Sequence, residues 1–233
     1  MESVVAKKVK ELGEWYHRID LGEGVITPGG MDQELTYNLY EGLLPNDLSG
    51  MTVLDLGANA CGFSIEFAKR GAQVLAVELD PKFIEQAKFV VDHFDLSHRV
   101  KIRQGDLFDA VELGEFDIVA YVGLSYHIRY PQLALDMLSS NCGQMLVAST
   151  QTIPGSGLSM TNRSERSGGQ YLSGYEPTEA LFLRMISAAG FKKPQLVSTA
   201  PHKGEGRMRH CGNRSYFFAR AGTKTPLPFS GDR

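Results

Sequence analysis

Short apolar runs rich in Val, Ile and Leu alternate along the chain with longer segments in which apolar residues recur every three to four positions. The short runs predict strands and the 3.6-residue spacing predicts helices, so their alternation predicts βαβ units around a parallel sheet. MTVLDLG is a first strand, followed by a helix through FSIEFAKRG that Gly71 ends. AQVLAVELD is a second strand, and Pro81 stands where a first helical turn tolerates it, opening KFIEQAKFVVDHF. RVKIRQGD, FDIVAYVG and GQMLVAST are the third, fourth and fifth strands, with PQLALDMLSS a helix before the fifth.

The rhythm breaks between Gln151 and Tyr175, where Gly, Ser, Thr and Arg dominate and no period holds. Residues 151–176 therefore read as a long substrate loop. Helix resumes over PTEALFLRMISAAG, with Gly190 suited to a left-handed cap, and KPQLVST and NRSYFFAR are the last two strands. Residues 1–48 read as an N-terminal extension or lid in which Asp32 caps a helix through QELTYNLYEGLL. The main domain is expected over 49–222 and a tail over 223–233.

With 42% hydrophobic and 22% charged residues in 233, the chain has the composition of one soluble domain with a sizeable core. It has no apolar run of about 18 residues, and its first segment, MESVVAKKVKELGEWYH, is charged and amphipathic. A cytoplasmic protein without membrane attachment is expected. Cys61, Cys142 and Cys211 are odd in number and lack C-x-x-C spacing, which predicts free thiols and no metal site. The formal charge of −3 divides unevenly: residues 1–150 carry a net −10 and residues 151–233 a net +7. The basic half is either solvated surface or a face for an anionic substrate.

In an open parallel sheet, ligands sit beyond the carboxyl ends of the strands near the first one. There stands VLDLGANACGFS, where Gly57 admits close backbone approach and Asp55 either holds the loop or accepts from a ligand amine. Glu78 ends the second strand, 23 residues after Asp55, as a ribose-binding carboxylate or as an acidic helix cap. Asp106 ends the third, placed to accept from an adenine amino group, with Leu107 available to pack on the ring. Three carboxylates suit a positively charged nucleoside and suit a pyrophosphate poorly. GANACG also lacks the G-x-G-x-x-G spacing and the lysine of a phosphate loop. S-adenosyl-L-methionine, a sulfonium without phosphate, is the cofactor this pattern favours.

VLDLGANACGFS, VLAVELDP, GDLFD and FDIVAYVGLSYHIRYPQLALDML, in this order, resemble the class I S-adenosylmethionine-dependent methyltransferases. The resemblance implies an α/β Rossmann-like fold with a seven-stranded, mostly parallel sheet in the order 3-2-1-4-5-7-6, the last strand antiparallel, helices on both faces, and S-adenosyl-L-homocysteine as product. It adds Leu79 and Val122 to the expected cofactor contacts. In the family's D-h-G-x-G-x-G, Asn59 and Cys61 replace the second and third glycines, so the turn is expected to be wider, or Asn59 to reach the cofactor's amino-acid moiety.

GLSYHIRYPQLALDML with WYHRIDLGEGVITPGG further resembles the branch that includes the tRNA wobble-uridine carboxymethyltransferase and its small-molecule relatives. That branch implies that Tyr126 lines the sulfonium side and that Trp15, Tyr16 and His17 fold over the active site. His127, directly after the fourth strand, is the first candidate for a general base, since an imidazole titrates near neutrality; a structural histidine is its alternative. His17 is the second candidate, and Tyr16 is placed to orient the acceptor. Arg163 and Arg166 are expected to pair with a carboxylate or phosphate, Tyr171 and Tyr175 to stack on a planar ring, and Trp15 to serve as lid or as hydrophobic staple.

The expected reaction is methyl transfer to nitrogen or oxygen of a small planar or anionic metabolite. The alternative is a tRNA wobble-uridine methyl- or carboxymethyltransferase, against which stand the acidic balance and the lack of a wide basic surface. A non-catalytic cofactor-binding subunit is the third possibility. The oligomeric state and the acceptor are not legible.

Overall fold

The computed structural model describes residues 2–167, 170–201 and 213–223 of the chain. It divides into two compact units, Met1–Asp106 and Leu107–Arg233.

The first unit opens with α1 (Val4–Glu11), whose N-terminus is capped by Ser3. A short parallel pair, β1 (His17–Arg18) and β2 (Met31–Asp32), leads into α2 (Gln33–Asn38). Asp32 caps α2 as expected, accepting from the Leu35 N–H at 3.0 Å, because a carboxylate there satisfies an otherwise orphaned donor. Then follow β3 (Thr52–Leu56), α3 (Gly62–Lys69), β4 (Gln73–Glu78), α4 (Pro81–His93) and β5 (Val100–Gln104). The three strands pair in parallel, Val53 opposite Val74 and Val74 opposite Val100, around a core that includes Leu54, Ile65, Phe67 and Val90.

The N-terminal extension is tied down along α4. The Gln86 amide donates to the Leu12 and Glu14 carbonyls at 3.1 and 2.8 Å, and the His93 ring meets the Leu21 carbonyl at 2.7 Å. Trp15 packs edge-on against Phe89 and donates its indole N–H to the Val9 carbonyl. Trp15 is thus buried as a packing residue, which is the staple-like alternative rather than an open lid.

The second unit contains β6 (Phe116–Val122), a 3-10 turn over Ser125–His127, α5 (Pro131–Asn141), β7 (Cys142–Thr152), β8 (Met160–Ser167), β9 (Gln170–Pro177), α6 (Glu179–Ala188), β10 (Lys192–Pro201) and β11 (Asn213–Arg220). β6 and β7 are parallel, and β11 runs antiparallel to both β7 and β10. Ile118, Leu135, Leu138, Phe182 and Phe217 are fully buried in its core. The strand order of the seven-stranded sheet is β10-β11-β7-β6-β3-β4-β5, the expected Rossmann-like order.

One expectation fails. Residues 151–176 are not a loop: β7 continues to Thr152, and β8 and β9 form an antiparallel hairpin with Arg163 opposite Gly174 and Asn162 opposite Tyr175. Both strands are dominated by small and polar residues and have no continuous apolar face, so backbone pairing builds the hairpin with little hydrophobic signature.

Candidate functional site

In the first unit the chain leaves β3 after Leu56 and enters α3 through a turn in which Gly57, Asn59 and Cys61 all have positive φ, at 68°, 49° and 58°. The two residues that replace the family's glycines therefore keep the left-handed backbone that glycine adopts without strain. Asn59 turns its side-chain oxygen onto the Ala60 N–H at 2.9 Å, a local bond that lets Asn tolerate this conformation. The Gly57 and Ala58 N–H groups donate to the Val77 carbonyl, which fastens the turn to β4.

Asp55 is buried and accepts from the Ser64 hydroxyl at 2.5 Å, so one carboxylate joins the strand end to the first turn of α3. Burial pushes its pKa up to about 6; the Ser64 hydrogen bond opposes the shift and the nearby Glu78 charge adds to it. The buried Cys61 thiol is pushed up as well, by burial first and by Asp55 next, which makes it an inert thiol.

Glu78 ends β4 with its carboxylate turned back on the backbone. It accepts from Asn59 N–H at 2.8 Å and from Leu79 and Asp80 N–H at 2.8 and 2.9 Å. Glu78 thus organises the entry to α4 without capping it; the cap is Asp80, whose carboxylate accepts from the Lys82 N–H at 2.8 Å. Asp106, just after β5, is half-buried, Leu107 is buried, and Leu79 is exposed.

The helix start also explains Gly62. A Cβ there would lie 2.5 Å from Gln33 Cγ and 3.1 Å from His17 Nδ1. The N-terminal extension therefore packs directly on the first turn of α3. His17 is buried, and its ring lies 5.7 Å from that of the more exposed Tyr16. Gln33, which sequence reasoning did not single out, is held by donating to the Met31 carbonyl at 3.2 Å. Its contact with residue 62 is too distant in the chain for any local signal.

In the second unit, Val122 and Gly123 end β6 and the Ser125–His127 turn follows. Tyr126 is buried, His127 is half-buried, and their ring centroids are 4.1 Å apart. The Tyr126 hydroxyl accepts from Arg214 Nη2 at 2.9 Å. β9 crosses this turn so closely that a Cβ at Gly174 would run into the Tyr126 carbonyl. Arg214 was read only as part of a strand; the available signal was a cation opening an otherwise apolar run. Tyr175 is half-buried in β9, whereas the side chains of Arg163, Arg166 and Tyr171 lie outside the described residues, as does Cys211. A groove on α6 lined by Leu158, Leu183 and Arg184 holds none of the candidates. No group of His, Cys, Asp or Glu among the described residues is arranged to hold a metal ion. Among them no helix is long and apolar enough to cross a membrane.

A family model for a methyltransferase domain matches residues 47–203. The chain belongs to that methyltransferase domain family. It is 36% identical over 90 residues to the magnesium-protoporphyrin O-methyltransferase of Rhodobacter capsulatus, covering 39% of each chain. It is 27% identical over 147 residues to the tRNA U34 carboxymethyltransferase of Dichelobacter nodosus, covering 62% of this chain and 47% of that one. This methyltransferase-domain chain thus spans less than half the length of these curated relatives.

Among solved structures, the N-terminal domain of EvdMO1, crystallised in the presence of SAH and D-fucose, superposes with a TM-score of 0.69 at 22% identity over 93% of this chain and 95% of that one. Magnesium protoporphyrin IX methyltransferase from Synechocystis PCC 6803 with bound SAM gives 0.58 at 17% identity over 81% and 80%. At these identities the likeness shows the shared fold.

Proposed function

We propose that this chain is an S-adenosyl-L-methionine-dependent methyltransferase acting on nitrogen or oxygen of a small planar or anionic metabolite. The observation that carries the reading is the glycine-like turn Gly57–Cys61 locked to the Glu78 carboxylate. The residues present fit that cofactor. Residues 55–64 contain no cation, and Asp55, Glu78 and Asp106 supply negative charge at three successive strand ends. A carboxylate offers about four acceptor positions. Backbone N–H groups fill three on Glu78, leaving one for a ribose hydroxyl rather than the two expected.

When bound, the cofactor supplies an electrophilic methyl group on a sulfonium. The protein's contribution is then positioning and handling of one proton. Asp55 and Ser64 would fix the turn that is to face the methionine portion, Glu78 and Asp106 would hold the nucleoside, and Leu79 would pack beside it. His127 removes the acceptor's proton, with the tilted Tyr126 ring packed against its own. His17 is the second candidate for that base, with Tyr16 orienting the acceptor beside it.

Calorimetry with S-adenosyl-L-homocysteine tests this assignment. Glu78→Ala and Asp106→Ala should each weaken binding about tenfold or more, the range of a lost charged hydrogen bond. Unchanged affinity in both would refute the placement of ribose and adenine.

A second reading, methyl or carboxymethyl transfer to a tRNA wobble uridine, draws on the likeness to the Dichelobacter nodosus enzyme over 62% of this chain and on the net +7 of residues 151–233. Labelling of bulk tRNA would favour it.

A further inference from the structure

Arg214 is the second residue of β11 and is paired with Gln151 near the end of β7. Because β11 is antiparallel to β7, its beginning lies level with the carboxyl ends of the parallel strands. Tyr216 pairs with Ser149, which pairs with Val122 at the end of β6, so Arg214 stands just past that end. Ligands of open α/β sheets collect at that end.

The side chain is 3% exposed, and its guanidinium carbon lies 5.3 Å from the Tyr126 ring centroid. Gly123 makes room for it. A Cβ at 123 would sit 2.8 Å from Arg214 Nη1, and the φ of +74° there is itself one that favours glycine. Burying a guanidinium is costly unless hydrogen bonds and opposite charge compensate it. Its planar fork of N–H donors has the geometry that matches the two oxygens of a carboxylate or phosphate, and Nη2 of that fork is aligned by donating to the Tyr126 hydroxyl.

We infer that Arg214, oriented by Tyr126, reads an anionic oxygen on the methyl acceptor, so that the acceptor is an acidic metabolite carrying a carboxylate, a phosphate or an ionised hydroxyl. This rests on the methyltransferase reading above. It assigns to one described side chain the role expected of Arg163 and Arg166, and it makes Tyr126 a positioning residue for the acceptor as well as an expected neighbour of the cofactor.

The full chain saturated with S-adenosyl-L-homocysteine is titrated with 4-fluorobenzoate and with 4-fluorobenzamide, which share a shape and differ in charge, followed by fluorine NMR. The wild type should bind the benzoate about tenfold more tightly, as a charged hydrogen-bonded pair warrants. Arg214→Met should abolish that preference while homocysteine-product affinity stays within about twofold. Should Arg214→Met fail to fold, Arg214→Lys and Tyr126→Phe carry the test, since each keeps the size and should reduce the preference without removing it. Equal binding of the two probes, binding of neither, or a preference untouched in every variant overturns the inference. Failure of the wild type to bind the homocysteine product would instead refute the parent reading. One further result counts against the acceptor assignment. If a cofactor carrying carboxymethyl in place of methyl binds about tenfold tighter than S-adenosyl-L-methionine, and Arg214→Met removes the gain, the anion belongs to the cofactor.

Discussion

The two units bury opposite charges at the strand ends where ligands of this fold gather. In residues 1–106 the buried acidic strand-end groups are Asp55 and Glu78, with Asp106 half-buried just beyond β5. In residues 107–233, Arg214 is buried just past the end of β6, held by the Tyr126 hydroxyl. The sequence mirrors the division, with a net −10 over 1–150 and +7 over 151–233. Negative strand ends suit a sulfonium-bearing nucleoside and repel phosphate; a buried guanidinium suits an anion. The lesson is that the formal charge of −3 hides two regions of opposite charge.

The comparison can be broken first at its chemistry. If His127 is the base that serves an acceptor held by the second unit, His127→Ala should lower kcat by about 10²–10⁴-fold with cofactor affinity retained. His17→Ala, in the first unit, should then change kcat far less. The reverse result moves the base to the N-terminal extension.

Next in size is the electrostatic cost of Asp55. Its folded pKa of about 6 lies above the ordinary 3.8, so the native state holds the proton more tightly than the unfolded chain does. Stability is therefore fully retained below about pH 4, falls as pH rises through about 6, and stays reduced above. Asp55→Asn, which still accepts from Ser64, should flatten that profile and stabilise the ligand-free protein above pH 6 by up to about 3 kcal/mol. Chemical denaturation at pH 4, 6 and 8 measures it.

Steric changes in the first unit come third. Gly62→Ala places a methyl group against Gln33 and His17, and should cost about 1–3 kcal/mol by loosening the N-terminal extension, measurable as a lower Tm and faster proteolysis before residue 40. The smallest effect is expected at Cys61. Cys61→Gly removes a non-glycine residue from φ +58° and should stabilise by about 1 kcal/mol, offset in part by the greater freedom of glycine in the unfolded chain. In the wild type, thiol reagents should modify Cys61 only on unfolding.

The same contrast bears on what the chain discloses by pattern. Apolar runs such as VLDLG and FDIVAYV announce buried parallel strands, and Asp32, Pro81 and Gly190 mark helix ends, because those signals are local. The carboxylates at residues 55, 78 and 106 are legible for the same reason: each directly follows or ends such a run. The hairpin of β8 and β9 was not legible. MTNRSERS and QYLSGYEP lack an apolar face, and what pins β9 over the Ser125–His127 turn is the absence of a side chain at Gly174. Gln33 beside Gly62 and Arg214 beside Tyr126 are contacts between residues far apart in the chain, which periodicity does not encode.

The central claim, a methyltransferase whose acidic half takes the cofactor and whose basic half takes an acidic small molecule, is tested most directly by following the methyl group. The protein is incubated with methyl-labelled S-adenosyl-L-methionine and, in parallel, a cellular small-molecule extract or bulk tRNA, and the products are separated by anion exchange. The account predicts label in a compound derived from the anion-retained small-molecule fraction and none in RNA. Label in tRNA, or tight cofactor binding with label in neither, would contradict it.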